Sequence, residues 1–202
     1  MSKVKLWASS QFWKKTAIWV TTIMFLILIY LSFDSVSKIS VGTKRVPPYS
    51  IINNKIFYTF DEDRNKLVPI IGEEAPLFNN KLNEQDAEKL VNLGKLTIQS
   101  KNCMNCHTLL GNGAYYAPDL TKSWLDKSWI DEEQREDLMV EFLMNPGLNT
   151  RAYYGSTRLM PNLEITNEEA RGIVAYLKWM SSIDTNGFPA KFKSIAQEGD
   201  DQ

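Results

Sequence analysis

The run C-M-N-C-H at residues 103–107 constrains this chain most, because it uses both cysteines and the only histidine among 202 residues. C-x-x-C-H is the attachment signature of c-type haem. A redox thiol pair would need a surrounding βαβ pattern, and a zinc site would need two more Cys or His ligands, all of which are missing. The motif therefore predicts one covalent haem c, with thioethers at Cys103 and Cys106 and His107 as proximal ligand. Pro118, in the following loop, is placed to accept a hydrogen bond from the other imidazole nitrogen.

The sixth iron ligand cannot be a histidine of this chain, so the seven methionines are the candidates. Met160 stands in a loop before Pro161 and the last predicted helix, where a folded cytochrome c domain needs its distal ligand. Met139 and Met144 fall on a predicted helix and are interpreted as packing residues. We expect ligation by His107 and Met160, which raises the reduction potential relative to two histidines. The alternative is that Met160 only fills the core or lies at the surface.

An apolar segment near the N-terminus predicts a membrane anchor. Residues 16–33 contain no charged side chain. As a helix they span roughly 27 Å, close to the roughly 30 Å hydrocarbon core of a bilayer. Two tryptophans near one end and a tyrosine near the other suit the interfacial aromatic belts. A buried core helix is one alternative, and a signal peptide cleaved near residues 35–37 is another.

Haem attachment takes place outside the cytoplasm, which decides the predicted orientation. Four lysines precede the apolar segment, so the positive-inside rule weakly favours a cytoplasmic N-terminus as well. We expect a single-pass protein of the cytoplasmic (inner) membrane with residues 35–202 in the periplasm. The formal net charge of -1 leaves no basic excess for nucleic-acid binding.

The predicted fold class is mainly α, with a class I-like mono-haem cytochrome c domain after the anchor and a small β-hairpin between them. The predicted parts are residues 1–34 (N-terminal segment and anchor), 35–82 (linker and hairpin), 83–188 (cytochrome c domain) and 189–202 (disordered tail). Within the second part, residues 56–60 and 66–71 are expected to pair as strands, followed by a loop over residues 72–80.

Three helices are expected in the haem domain. They cover about residues 84–100 after an Asn83 cap, 131–144, and 166–182 after a capping box of Thr166 and Glu169. Gly94 lies on the first helix, and Gly172, Tyr176 and Trp179 lie on the last. A glycine on one helix and an aromatic on the other would let the two cross closely, and ordinary core packing is the alternative interpretation of these residues. The predicted buried positions are Leu90, Leu93, Leu96 and Ile98, then Leu138, Val140, Phe142 and Leu143, then Ile173, Tyr176, Leu177 and Met180.

The sequence around the motif closely resembles the cytochrome c subunit (NorC-type) of bacterial cytochrome c-dependent nitric oxide reductase. The resemblance rests on C-M-N-C-H-T-L-L-G-N-G-A-Y-Y-A-P-D-L-T at residues 103–121, M-P-N-L at 160–163 and Y-L-K-W-M-S-S-I-D-T-N-G-F-P at 176–189. It covers nearly all of residues 12–189. The G-N-G-A-Y-Y-A-P-D-L and I-D-T-N-G-F-P runs are far more specific than C-x-x-C-H. One departure is a long stretch, residues 151–159, before Met160.

The resemblance implies an electron-transfer subunit with no catalytic site of its own. It would accept electrons from a soluble periplasmic donor and pass them to the low-spin b haem of a large multi-span subunit. That subunit would also hold a high-spin b haem and a non-haem iron, and would reduce two NO to nitrous oxide and water. By motif position, the resemblance further implies backbone calcium ligands at Gly113 and Tyr115, facing the catalytic subunit.

Two other functions stay open. One is the haem c subunit of a cbb-type oxygen reductase, against which the Gly-Tyr run argues. The other is a membrane-anchored haem sensor or peroxidase, which requires an open sixth site on the iron. A peroxidase would also need a second histidine for acid-base chemistry, and this chain has only one. The acidic run at residues 131–137 is interpreted as a solvated face, with donor docking as the alternative.

Overall fold

The computed structural model describes residues 9–126, 128–129, 132–147 and 159–190. It confirms the mainly helical class, with one long N-terminal helix, an antiparallel hairpin and a helical domain. Residues 151–158 of the stretch before Met160 and the tail from residue 191 onward lie outside the described residues. The division into four parts stays a prediction.

Helix α1 covers Ser10–Ile39 and is longer than the predicted apolar segment. It continues through polar residues because they satisfy one another along the helix. Lys38 pairs with Asp34 at 2.8 Å, and the Ser37 hydroxyl donates to the Asp34 carbonyl at 2.8 Å. An 18-residue window of α1 has a mean hydropathy of 2.1 and no buried residue. The helix is therefore long and apolar enough to cross a membrane.

The linker of residues 40–48 is fastened to the helical domain rather than hanging free. A backbone hydrogen bond closes a turn inside it. The Asp184 N–H donates to the Arg45 carbonyl at 2.9 Å. The Trp179 indole N–H donates to the Pro47 carbonyl at 3.1 Å. The polar segment that the sequence marks as a connection thus has fixed positions at several points.

The predicted hairpin is confirmed and is called the N-terminal hairpin below. It consists of β1 (Asn54–Asp61) and β2 (Lys66–Glu74), paired antiparallel. The loop expected directly after it is partly wrong, because pairing continues to the end of β2 and a short 3-10 turn follows at Leu77–Asn79. Ile56 and Tyr58 point into the core and are buried, which orients the hairpin against the helical domain.

The three predicted helices of the haem domain are α2 (Glu84–Ser100), α3 (Arg135–Met144) and α4 (Asn167–Ser181). Both predicted caps are present. The Asn83 side chain accepts from the Asp86 N–H at 2.9 Å, and Thr166 and Glu169 form a reciprocal capping box. Helix α3 begins later than expected, because residues 132–134 form a turn.

Helices α2 and α4 cross at two glycines. A Cβ added to Gly94 would lie 1.9 Å from the Gly172 carbonyl oxygen, so neither backbone leaves room for a side chain there. The close crossing was expected, but glycine meets glycine rather than an aromatic ring. Trp179 instead stacks on Tyr49 near the linker, with ring centroids 5.0 Å apart. The crossing fixes how the helices frame the space between them and α3.

The buried face of α2 differs from the predicted one. Leu96 is 62% exposed, so its predicted burial is wrong, and the contact is made by smaller residues around Gly94. The reason is that Leu96, two residues after Gly94, points to nearly the opposite side of the helix from the crossing. On α4, all four predicted positions are buried. The buried residues of α2 and α3 are Ala87, Val91, Gly94, Thr97, Ile98, Arg135, Met139, Val140 and Leu143.

Candidate haem site

All four predicted haem-binding residues line one cavity of about 540 Å³. This size is within the range of roughly 300–1,000 Å³ that is usual for cofactor sites. Cys103, Cys106, His107 and Met160 reach it from two separate segments of the chain. Much of the remaining wall is apolar and comes from all three helices and the loops, including Ile98, Leu120, Trp129, Leu143, Ile173 and Leu177.

A single tight turn carries the motif. Helix α2 ends, Asn102 adopts a left-handed conformation with φ +58°, and a 3-10 turn follows at Cys103–Asn105. Asparagine tolerates this conformation better than most side chains. The Cys106 and His107 N–H groups both donate to the Cys103 carbonyl, at 3.1 and 3.0 Å. Both cysteines are half-buried and line the cavity, as attachment of a haem there requires.

The orientation of His107 follows from one hydrogen bond. Its Nδ1 lies 2.7 Å from the Pro118 carbonyl oxygen. A carbonyl can only accept, so Nδ1 carries the proton and Nε2 keeps its lone pair for a metal. The expected role of Pro118 is confirmed. An imidazole fixed in this way is a typical iron ligand, because the second bond sets both its tautomer and its direction.

Asp119 holds the Pro118 carbonyl in place. Its carboxylate accepts from the Thr108 hydroxyl at 2.6 Å and from the Thr121 N–H at 2.8 Å. The Thr121 hydroxyl, itself fully buried, accepts from the Leu110 N–H at 2.7 Å. Sequence reasoning missed this group. The available signal was an aspartate two residues before a threonine, the spacing of an Asx turn.

A second small hairpin, β3 (Thr108–Leu109) with β4 (Asn112–Gly113), follows the motif. At Gly113 φ is +127°, and an added Cβ would lie 2.3 Å from the His107 carbonyl oxygen, so only glycine fits. Tyr115 is 83% exposed. No cluster of three metal-binding side chains occurs among the described residues. Backbone calcium ligation at Gly113 and Tyr115 stays a prediction.

Two methionines face the cavity, not one. Met160 is half-buried, and the segment after it is pinned by Lys101, which donates to the Glu164 carbonyl at 3.1 Å. Met139 on α3 is 3% exposed and lines the same cavity. The expectation that Met139 is only a packing residue was incomplete, because its side chain also lines the haem cavity. The sequence places Met139 on a helix but does not indicate which side of that helix faces the cavity. Met160 is the one that lies outside helices and strands.

The acidic run before and within α3 is not simply a solvated face. Glu136 pairs with Lys178 at 3.0 Å and also accepts a hydrogen bond from the Phe78 N–H. Arg135 is buried and donates to the Trp124 carbonyl at 3.2 Å. Burial lowers the pKa of Lys178, and the Glu136 carboxylate opposes that effect. Glu136 is therefore an internal link between helices, and the interpretation as a solvated face is wrong for it.

Comparisons with known proteins agree with this geometry. The Cytochrome c family profile matches residues 91–181, which include the motif, Met160 and α4. The C subunit of nitric oxide reductase from Stutzerimonas stutzeri is 30% identical over 112 residues, which are 55% of this chain and 73% of that protein. The chain belongs to the family of nitric oxide reductase C subunits.

Other relatives point the same way. The corresponding nitric oxide reductase protein of Paracoccus denitrificans is 35% identical over 101 residues, 48% of this chain and 62% of that protein. That of Cereibacter sphaeroides is 33% identical over 100 residues, 48% of this chain and 64% of that protein. These matches confirm the resemblance over about half of the chain, and its predicted extent over residues 12–189 stays a prediction. A cytochrome c domain implies covalently bound haem c. The N-terminal hairpin lies before the residues that the Cytochrome c profile matches.

Proposed function

We propose that this chain is the membrane-anchored haem c electron-transfer subunit of a nitric oxide reductase. The proposal rests on one observation in a chain of this family: both cysteines of C-x-x-C-H, the histidine and a methionine line one cavity. The histidine is oriented there by its hydrogen bond to the Pro118 carbonyl. In this assignment Cys103 and Cys106 carry the thioether links. His107 Nε2 and the Met160 sulfur take the two axial positions.

The residues around the cavity suit a one-electron relay. Haem c, when bound, supplies a centre that exchanges one electron without proton chemistry of its own. Pro118 keeps the His107 imidazole in one tautomer and one direction. The apolar wall excludes water, and Met160 occupies the position that a small ligand would need. Both features favour a raised reduction potential and disfavour a sensor.

The proposed electron path combines the orientation of the anchor with what the family implies. Helix α1 crosses the cytoplasmic membrane with its N-terminus in the cytoplasm, because thioether attachment takes place on the periplasmic side. A soluble periplasmic donor reduces the haem domain. The acceptor is the b haem of a large multi-span subunit that also holds the non-haem iron. The exposed segment with Gly113 and Tyr115 faces that subunit and supplies backbone calcium ligands.

Turnover by the detergent-purified complex tests the assignment. We expect a reduced soluble donor to drive NO consumption, and we expect consumption to stop when this subunit is stripped away. Preference for O₂ over NO would move the chain to an oxygen-reductase complex with the same haem and anchor. A chain that purifies alone and supports consumption of neither gas would refute the partner assignment.

Paired methionine variants test the axial ligand. We expect Met160→Ala to abolish the sulfur-to-iron charge-transfer absorption of the oxidised protein and to lower its reduction potential, because a thioether favours ferrous iron. Met139→Ala is the matched control: it removes a second cavity-lining thioether and should keep the charge-transfer absorption. The opposite pattern would make Met139 the ligand, and no spectral change in either variant would favour the sensor.

A further inference from the structure

A buried lysine outside the haem cavity joins three parts of the molecule. Lys122 is only 3% exposed. Its Nζ lies 3.3 Å from the Ser181 carbonyl oxygen and 3.1 Å from that of Ile183, at the C-terminal end of α4. It also contacts the Tyr58 hydroxyl on β1 of the N-terminal hairpin. No sequence pattern predicted this site, and none of the family motifs includes Lys122.

Among the described residues, no carboxylate forms a direct ion pair with Lys122. The carboxylate that acts on it most is Asp184, in the segment after α4. That carboxylate is already shared by Lys66 of β2, at 3.3 Å, and Arg45 of the linker, at 3.8 Å. An ammonium at Lys122 therefore relies on hydrogen bonds and on the helix C-terminus for its stability.

Hydrogen bonding is complete whether Lys122 is charged or neutral. An ammonium has three N–H donors, and Tyr58, Ser181 and Ile183 offer three oxygen acceptors. A neutral amine has a lone pair, to which the Tyr58 hydroxyl can donate. The proton can therefore leave or return without a change of fold. Burial lowers the pKa of Lys122 to about 7, and Asp184 opposes that effect.

The Lys122 amine borders one small cavity, and close neighbours of Lys122 in the chain border the haem cavity. A small cavity of about 10 Å³ is lined by Tyr58, Lys122 and Phe188, among others, and is close to the roughly 10–15 Å³ that one water needs. Leu120 and Ser123, its close neighbours in the chain, line the haem cavity, although Lys122 itself does not. Lys122 is therefore buried on a segment that borders the haem cavity, where charges interact more strongly than in water.

We infer that Lys122 is a redox-linked proton site, which takes up one proton when the haem is reduced and releases it on oxidation. The inference rests on the proposed function. The electron comes from the soluble donor and the proton from a solvent hydronium ion. One O–H bond of hydronium breaks, and the third N–H bond of the Lys122 ammonium forms. Added negative charge at the haem favours the ammonium, and by reciprocity the ammonium raises the reduction potential.

The test is the haem reduction potential of the full-length protein in detergent, measured from about pH 5.5 to about pH 9. We expect the wild-type potential to fall as the pH rises through neutrality. A threefold difference in proton affinity between the two redox states would correspond to about 28 mV, at about 59 mV per tenfold. A parallel readout is the titration of the Lys122 amine by NMR, with a higher midpoint in the reduced protein.

Two variants separate this role from a structural one. Lys122→Met removes the charge, so we expect a lowered haem reduction potential that does not change with pH. Lys122→Arg keeps the charge at every pH, so we expect a raised reduction potential that also does not change with pH. A purely structural C-terminal cap on α4 predicts altered stability with an unaltered pH profile. If Lys122→Met fails to fold, the flat profile of Lys122→Arg decides alone.

Three outcomes overturn the inference, and they can be told apart. A pH slope that survives in both variants would assign it to another group, such as the haem propionates. A flat wild-type profile in a protein that carries covalent haem would refute the proton site and leave the proposed function intact. Absence of covalent haem, seen in the absorption spectrum of the denatured protein, would refute the proposed function and the proton site together.

Discussion

The helical half of the haem domain and the N-terminal hairpin with its linker are held in place by different kinds of contact. Helices α2 and α4 meet backbone to backbone at Gly94 and Gly172. The linker and hairpin are attached through hydrogen bonds to single backbone groups, such as Trp179 to Pro47, and through the buried side chains of Ile56 and Tyr58. The first kind of contact lies within the residues that the Cytochrome c profile matches, and much of the second lies before them. Most of the cavity wall thus lies within the residues that the Cytochrome c profile matches, whereas the linker and hairpin lie before those residues.

The largest effect is expected at the glycine crossing. In Gly94→Ala the new methyl group would lie 1.9 Å from the Gly172 carbonyl oxygen, so the helices must separate. We expect the free energy of unfolding to fall by about 3 kcal/mol or more, and haem incorporation to fall with it. Denaturant unfolding of the full chain measures the first quantity, and haem absorbance per chain measures the second.

Gly147→Ala is the matched control for that change. A Cβ at Gly147 would meet nothing within 4 Å. We expect its unfolding free energy to stay within about 0.5 kcal/mol of wild type. If both variants lost the same free energy of unfolding, the helix crossing would not be the source of the effect. The proposed difference between the helix crossing and the linker and hairpin contacts would then not hold.

An intermediate effect is expected where the linker is fastened. Trp179→Phe removes the indole donor to the Pro47 carbonyl and part of the stack on Tyr49, and should cost about 1–2 kcal/mol. It should also make residues 40–48 more sensitive to limited proteolysis. Trp124→Phe, at another buried tryptophan away from the linker, should reduce stability without exposing it. Protection of the linker in both variants would mean that Trp179 does not hold it.

The smallest effect is expected at Glu84, which accepts from the Tyr49 and Ser50 N–H groups, both at 2.7 Å. Burial tends to raise the pKa of Glu84, but the hydrogen bonds from Ser50 and Tyr49 outweigh it and the pKa is lowered. The carboxylate therefore stabilises the fold above its unfolded-state pKa, and this contribution is lost as the pH falls through the folded-state value.

Because Glu84 is exposed, we expect Glu84→Gln to cost only a few tenths of a kcal/mol at neutral pH. The difference from wild type should vanish in acid, since the wild-type side chain is then neutral as well. Urea unfolding at a series of pH values measures this. A difference that persists at low pH would mean that packing, and not charge, is what Glu84 contributes.

Local signals in the sequence predicted local structure well. The Asn83 cap, the Thr166 capping box and the N-terminal hairpin each depend on residues a few positions apart, and all are present. The haem motif and the role of Pro118 could be predicted for the same reason. Long-range partners could not be predicted, because nothing in the sequence pairs Gly94 with Gly172. Such contacts depend on how whole elements are oriented, which local patterns do not record.

The remaining misses have the same cause. The cavity-facing position of Met139 and the exposure of Leu96 depend on which side of a helix meets its neighbour. The internal pairing of Glu136 depends on a lysine in another helix. Residues 103–107 were sufficient to predict the cofactor, but the shape of the space around it needed the packed structure.

The fastened linker also determines how far the haem domain can travel. A free chain over residues 40–48 would give an end-to-end distance of roughly 15–18 Å, and the domain would search for its acceptor as a tethered particle. Arg45 and Pro47 are instead hydrogen-bonded to Asp184 and Trp179, which greatly reduces the volume that the domain can sample. In the proposed assignment, the rate of electron transfer then depends less on how often the haem domain meets its acceptor. It depends more on the distance and angle between the two, which are set at assembly.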